Sequence, residues 1–303
     1  MKVMIVGAGG VGGYLCAMLS RLNPDITLVA RGRQLEAIQE KGLTLRLDEG
    51  QFTLRPSLCT DKPQDAGEQD AVFLCVKGYG LEEAVKQIIP AVGAHTLVVP
   101  LLNGVDTSKR ISALLPQGKI CDGCIYIYSR VLEPGVILRS GGLNHVVMGL
   151  PDNRQDPDLL RLAQLLTLAG VPTQVPQDIR RETWKKWCFI CSNAQATSYY
   201  SYTVGQLRED PEAWAFLCGL LDEVLAVSKA EQVNLPADTR EQVLESILSQ
   251  PYDARSSLSR DLEIPGKPTE LFQFAGVLSL LANQHGIPVP YHQKVLEKFK
   301  DRL

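Results

Sequence analysis

No apolar run in these 303 residues approaches the length needed to span a bilayer, so a membrane-embedded protein is not expected. Charge of one sign is also missing. The 31 basic and 34 acidic side chains leave a formal net charge of −3, which argues against a general affinity for nucleic acid or for membrane surfaces. There is no internal repeat and no low-complexity segment. Apolar residues make up 45% and charged residues 21%, the balance of a chain that can bury a sizeable core. Before the strand-like Lys2-Val3-Met4-Ile5-Val6 there is no room for a signal peptide, so the expected compartment is cytoplasmic, where the eight cysteines stay reduced. The two C-x-x-C pairs, Cys121/Cys124 and Cys188/Cys191, lie much farther apart than the roughly 15 to 20 residues of a zinc knuckle, and each sits in an apolar run. They read as buried core cysteines, and no metal site is expected.

What is present divides the chain. A length of 303 residues favours two domains over one. The first half alternates short apolar runs (Val3 to Val6, Ile26 to Ala30, Ala71 to Val76, Thr96 to Pro100) with helical patterns after Gly12, Gly80 and Gly104. That alternation predicts a parallel sheet with crossover helices. Several β segments are expected from Ile120 to Met148, with turns at Glu133-Pro134-Gly135 and Gly141-Gly142, then a helix over Asp156 to Ala169 and a strand over Val171 to Val175. Beyond about Asp178 long amphipathic patterns take over, such as Leu271, Phe274, Ala275, Leu278 and Ala282. The polar stretch Gln250 to Lys267 is too long for a simple connector, and loops of that kind are often functional.

Gly7-Ala8-Gly9-Gly10-Val11-Gly12 matches G-x-G-x-x-G between a strand and a helical pattern, the context that gives the motif its meaning. Gly7 permits the tight turn, Gly9 lets backbone approach a pyrophosphate, and Gly12 lets helix and strand pack closely. The helix N-terminus then faces the phosphates. A dinucleotide-binding βαβ unit follows. Its second strand ends at Arg31, where NAD-preferring sites carry an acid for the ribose 2′-hydroxyl. An arginine there, with Arg33 nearby, pairs a 2′-phosphate, so the cofactor expected is NADP(H) rather than NAD(H) or FAD; the competing reading is an ordinary solvated arginine.

In an open α/β sheet ligands lie outside the carboxyl ends of the strands. Lys77 and Asn103-Gly104 fall just after two of them. Lys77 could attract an anionic substrate, and Asn103 could bond a cofactor ribose or a substrate hydroxyl, although Asn-Gly is also a common turn. A carbonyl reduction needs a proton besides a hydride. Lys186, early in the helical half, could supply it.

In this order the glycine loop with Arg31, Val76-Lys77, Asn103-Gly104, Trp184-x-Lys186, Ser257-Leu258-x-x-Asp261-Leu262, Thr269-Glu270 and His285-Gly286-Ile287-Pro288-Val289-Pro290 resemble the ketopantoate reductase family (2-dehydropantoate 2-reductases) over essentially the whole chain. The resemblance implies an α/β fold, an N-terminal Rossmann-type dinucleotide-binding domain (1–177) followed by an all-helical C-terminal domain (178–303). It implies reduction of 2-dehydropantoate to pantoate by NADPH, a step toward coenzyme A. Lys186 would be the proton donor and Glu270 would orient it and the substrate. Ser257, Asn103 and Lys77 would bind substrate, while Gly7, Ala8, Gly9, Gly10, Val11, Gly12, Arg31, Lys77 and Asn103 would hold the cofactor. Residue by residue, Glu270 could instead complement a helix dipole and Ser257 could be a cap. Family asparagines four and eight residues after the lysine are here Ile190 and Ala194, and another, three before Ser257, is Ala254. Two alternatives therefore stand beside 2-dehydropantoate: reduction of another small 2-oxo acid, and a non-catalytic NADP(H)-sensing module whose helical half is a partner or homodimer surface.

Overall fold

The run Val3-Met4-Ile5-Val6 is apolar at every position, as suits a strand covered on both faces. In the computed structural model, which describes residues 1–22, 25–141 and 144–302, it forms β1 (Val3–Val6), buried throughout. The chain divides into two compact units: Met1–Leu102 with Asp106–Ile179, and Asn103–Val105 with Arg180–Leu303.

The main sheet of the first unit is parallel, as the alternating pattern predicts. It contains β1, β2 (Ile26–Val29), β5 (Leu58–Thr60), β6 (Gln69–Leu74), β7 (Val92–Pro100) and β8 (Lys119–Ile120), in the order β5-β2-β1-β6-β7-β8. From β1 the chain builds outward through β2 to β5 and then on the other flank through β6. The carboxyl ends of β1 and β6 are thus the topological switch point at which such sheets take ligands. The crossover helices include α1 (Gly10–Leu19), α2 (Gly32–Lys41), α3 (Leu81–Ile88) and α4 (Thr107–Ser112).

A second sheet runs β10-β11-β3-β4, from β3 (Leu43–Leu47), β4 (Gly50–Leu54), β10 (Ser129–Glu133) and β11 (Val136–Arg139). Its hairpin closes at the expected Glu133-Pro134-Gly135 turn, with Gly135 at φ +80°. For the expected Gly141-Gly142 turn, Gly142 lies outside the described residues. Strands β3 and β4 have no counterpart in the sequence-based expectations. This sheet lies against α1: a Cβ on Gly13 would be 2.6 Å from the Ile137 side chain, and one on Gly10 2.6 Å from the Ser129 carbonyl oxygen. Packed on both sides, α1 is buried from Gly12 to Leu19. A third sheet joins β9 (Asp122–Tyr126), β12 (His145–Gly149) and β13 (Thr173–Gln174).

The expected helix after β12 is α5 (Pro157–Leu168). Pro157 at its first position needs no donor there, and the Asp156 carboxylate accepts from the N–H groups of Asp158 and Leu159 while Lys119 approaches it at 2.7 Å. Burial pushes the Asp156 carboxyl up, but the Lys119 ammonium and the two N–H donors outweigh it and hold it below the ordinary carboxylate value. A depressed folded-state pKa contributes stability above the unfolded-state pKa and loses it as pH falls through the folded-state value. At neutral pH, Asp156→Ala is expected to cost about 1–2 kcal/mol of cap stability, and Asp156→Asn, which keeps an acceptor, distinctly less. Urea unfolding of the three proteins checks the order.

Among the described residues the second unit contains helices and no strand: α6 (Ile179–Tyr200, its first residue in the first unit), α7 (Val204–Glu209), α8 (Pro211–Ala230), α9 (Thr239–Leu248), α10 (Ser257–Leu262), a π-helical turn at Phe272–Gly276, α11 (Val277–Gln284) and α12 (Pro290–Lys298). Their apolar faces enclose a core around Trp184 and Trp187, stacked edge to face at 5.1 Å, with Leu217, Leu220, Phe274 and Leu278. No side chain of its own caps α12. Instead the Glu223 carboxylate on α8 accepts from the Tyr291 and His292 N–H groups at 2.7 and 3.1 Å and from the His292 ring at 2.6 Å. Complete burial pushes the His292 pKa down despite that carboxylate.

Candidate active site

Gly7 sits at φ +104°, and a Cβ there would be 2.9 Å from the Cys75 carbonyl oxygen, so the loop leaving β1 runs against the backbone just past β6. A Cβ on Gly12 would come within 1.9 Å of the Gly7 carbonyl oxygen. A Cβ on Gly9, by contrast, would meet nothing within 4 Å. The walls of the turn are filled while its Gly9 edge stays open. Gly9 is also the N-cap of α1 and contributes no side-chain hydrogen bond to the first turn. An open backbone edge at a helix N-terminus fits a pyrophosphate, the part of a dinucleotide that the motif is built to hold. Ala8 is buried in the core of the unit, with Val11 packed at its edge.

Two glutamines that carry no sequence signal hold residues at these strand ends, Gln34 the glycine loop and Gln87 Arg31. Gln34, in the first turn of α2, donates to the Ala8 carbonyl at 2.8 Å and accepts from the Gly135 N–H at 3.0 Å. Arg31, the N-cap residue of α2, is exposed at the end of β2, and its guanidinium donates to the Gln87 side-chain carbonyl on α3. Lys77 follows β6, half-buried, and its carbonyl accepts from the Gly80 N–H at 2.8 Å. Gly7, Arg31 and Lys77 therefore all stand past the carboxyl ends of neighbouring parallel strands.

The second unit brings Lys186 and Asn103 together. Lys186, 8% exposed on α6, donates from Nζ to Asn103 Oδ1 at 3.1 Å. Its neighbour Lys185 is turned outward, 33% exposed and 4.0 Å from the Glu182 carboxylate. Glu270, 4% exposed, directly precedes the helical segment that begins at Leu271 and widens into the π-helical turn. Helical turns of that width recur at functional sites. The polar stretch Gln250 to Lys267 contains α10, and here the two serines separate. Ser257 is exposed in its first turn, whereas Ser256 caps the helix, accepting from the Ser259 N–H at 3.1 Å and from Thr197 Oγ1 on α6 at 2.9 Å. Ile190, Ala194 and Ala254 take part in the apolar packing of the unit.

The cysteines are free, and both C-x-x-C pairs are buried, with desolvation pushing the Cys121 and Cys188 thiols up to about 12. Among the described residues no group of three or more His, Cys, Asp or Glu could hold a metal ion, and no helix is long and apolar enough to cross a membrane.

The family model for ketopantoate reductase PanE/ApbA matches residues 3–153, and the model for its C-terminal part matches residues 178–302. A 2-dehydropantoate 2-reductase from Mesorhizobium japonicum is 29% identical over 98% of this chain and 96% of its own length. The crystal structure of 2-dehydropantoate 2-reductase from Porphyromonas gingivalis has a TM-score of 0.83 at 30% identity, covering 99% of each chain. D-mandelate dehydrogenase in ternary complex with NADH and anilino(oxo)acetate has a TM-score of 0.90, covering 100% of this chain and 98% of its own, at 19% identity, a likeness of fold alone. With both parts of the family model matched in order along nearly the whole chain, the protein belongs to the PanE/ApbA ketopantoate reductase family of oxidoreductases.

Proposed function

We propose that this protein is a cytoplasmic NADPH-dependent reductase of a small 2-oxo acid, with 2-dehydropantoate, reduced to pantoate on the route to coenzyme A, as its substrate. The observation that carries the reading is the buried Lys186 ammonium held by Asn103 in a chain whose other unit presents an open glycine loop. When bound, NADPH supplies the hydride that adds to the ketone carbon. Lys186 gives a proton from Nζ to the ketone oxygen as that oxygen gains the carbonyl electron pair. Asn103, accepting from the same Nζ, fixes the direction in which the ammonium points. Glu270, a buried carboxylate, orients the lysine and substrate, and Lys77 and Ser257 serve the substrate anion.

The choice of cofactor rests on Arg31 rather than on the fold, because the D-mandelate dehydrogenase structures of this fold hold NADH. A guanidinium at the end of β2, already steadied by Gln87, pairs a 2′-phosphate where an acid would repel it.

The test is purified protein with NADPH and a panel of 2-oxo acids, including compounds with apolar side chains because Ile190, Ala194 and Ala254 are apolar. The expected result is NADPH oxidation with kcat/KM highest on 2-dehydropantoate. Turnover no faster than on generic 2-oxo acids would move the assignment to another substrate. Tight NADPH binding with no carbonyl reduced would return the chain to the sensing module.

A further inference from the structure

Between the end of β1 and the start of α1 the backbone passes from one ladder of hydrogen bonds to another. The Gly7 N–H is still held by the parallel sheet, donating to the Val29 carbonyl at 3.0 Å, and the Gly9 carbonyl already belongs to the helix, accepting from the Gly13 N–H at 2.8 Å. The Ala8–Gly9 peptide lies between the two, and its carbonyl is taken by a side chain instead. Gln34, the third residue of α2, donates to it from Nε2 at 2.8 Å. The other end of the same amide accepts from the Gly135 N–H at 3.0 Å, in the turn that joins β10 to β11. An amide has one donor end and one acceptor end, so a donor at Gly135 and an acceptor at Ala8 leave it a single orientation. The turn is fixed in its own right: the Gly135 carbonyl accepts from the Thr44 N–H of β3 at 2.8 Å, and a Cβ on Gly135 would stand 3.3 Å from the Ala37 Cβ of α2.

The Ala8–Gly9 peptide is the one in this loop that needs such an anchor. Turning its plane over changes only ψ of Ala8 and φ of Gly9, and glycine accepts either sign of φ at little cost. The bond is trans, so its N–H points opposite to its C=O. Holding the carbonyl toward α2 therefore directs the Gly9 N–H away from α2, on the residue where an added Cβ would meet nothing within 4 Å. With the plane turned over, a carbonyl oxygen would stand where that donor had been, and it would repel an anion that the N–H attracts.

We infer that Gln34 is a positioning residue for the dinucleotide: its amide sets the Ala8–Gly9 peptide with the N–H toward the pyrophosphate, and the β10–β11 turn sets the amide. This rests on the cofactor reading above and deepens it, because it gives the second sheet a task in binding, through Gly135, besides covering α1. Arg31 is the N-cap of the same helix, three residues before Gln34. The start of α2 thus carries both the cation for the 2′-phosphate and the amide that orients a donor for the pyrophosphate.

The experiment is calorimetric titration of the full chain, as wild type, Gln34→Met and Gln34→Glu, with NADPH and with adenosine 2′-monophosphate, which keeps the 2′-phosphate and lacks the pyrophosphate. Gln34→Met preserves the length of the side chain and offers no donor. Its Kd for NADPH is expected to rise about 3- to 10-fold, the contribution of one hydrogen bond, while its Kd for adenosine 2′-monophosphate stays within about twofold of wild type. Gln34→Glu keeps the acceptor for Gly135, loses the donor for Ala8 and brings a negative charge beside the loop. Its Kd for NADPH rises further than that of the methionine variant, and the excess shrinks as salt is raised. Should the methionine variant not fold, the glutamate variant, which keeps the contact with the turn, is read in its place at high salt. Equal weakening of both ligands would mean that Gln34 only holds the unit together, and an unchanged Kd for NADPH would mean that it orients nothing the cofactor uses; either result overturns the assignment. A wild type that binds no dinucleotide removes the cofactor reading and this one together. A wild type that binds NADH and not NADPH removes the Arg31 reading alone: both dinucleotides carry the pyrophosphate, so weaker NADH binding by Gln34→Met then upholds the role of Gln34 and unchanged NADH binding overturns it.

Discussion

Lys186→Ala is expected to lower kcat for 2-oxo acid reduction by ~10²–10⁴-fold, the span of general acid catalysis, while NADPH affinity stays at the wild-type value. The separation of these effects follows from where the groups reside. The glycine loop and Arg31 belong to the first unit and Lys186 to the second, so removal of the amine leaves these contacts of the dinucleotide in place. The size of the loss follows from the chemistry: without a positioned acid the ketone oxygen must gain negative charge with only water to protonate it. Lys185→Ala is the internal control. That side chain is one third exposed and 4.0 Å from the Glu182 carboxylate, and its loss is expected to change kcat less than twofold, within the small effect of removing an exposed ion pair. Fluorescence titration with NADPH and steady-state kinetics on the two variants separate binding from proton transfer. An unchanged kcat in Lys186→Ala would remove the lysine from the chemistry.

Legibility in the sequence followed the range of the constraint. The glycine loop is readable because its demands are local: Gly7 at φ +104° and Gly12, where a Cβ would stand 1.9 Å from a carbonyl oxygen, tolerate no side chain, and they sit between a strand and a helix whose patterns are themselves visible. Strand β3, Leu-Thr-Leu-Arg-Leu, carries an alternation that the expectations above pass over, whereas β4, Gly-Gln-Phe-Thr-Leu, has no fully buried position and takes its place from the strand it pairs with. Gln34 and Gln87 escaped for a similar reason. A glutamine acquires its role from what folds next to it, here the Ala8 carbonyl and the Arg31 guanidinium. In the helical unit, the Lys186–Asn103 contact joins residues 83 positions apart, which no spacing argument reaches; the sequence offers Asn103 through its position after a strand, Lys186 through its place early in the helical half, and both through the family resemblance. Between Ser256 and Ser257, the difference between a cap bonded to Thr197 and an exposed first-turn residue turns on where α10 starts, a boundary that a polar run does not mark.

Arg31→Asp is expected to reverse or abolish the preference for NADPH, shifting the ratio of kcat/KM for NADPH over NADH by on the order of 10²-fold or more. Hydrogen bonds to a charged group contribute about 1.5–3 kcal/mol, and each 1.4 kcal/mol is tenfold, so loss of the guanidinium alone accounts for roughly 10- to 100-fold. A carboxylate in its place adds repulsion against the 2′-phosphate and a favourable acceptor for the 2′-hydroxyl of NADH. Arg31→Ala separates the two contributions, since it removes the attraction without adding the repulsion, and is expected to lie between wild type and Arg31→Asp. Exposure of Arg31 at the end of β2 keeps both substitutions away from the core, so they test the site rather than the fold. The contact with Gln87 adds a further discrimination. If that glutamine steadies the guanidinium for the phosphate, Gln87→Ala weakens NADPH without strengthening NADH, because it changes the order of the arginine and not the charge of the site. A preference unmoved by Arg31→Asp would mean that the phosphate is read elsewhere on the first unit, and the assignment of NADPH would no longer rest on this strand end.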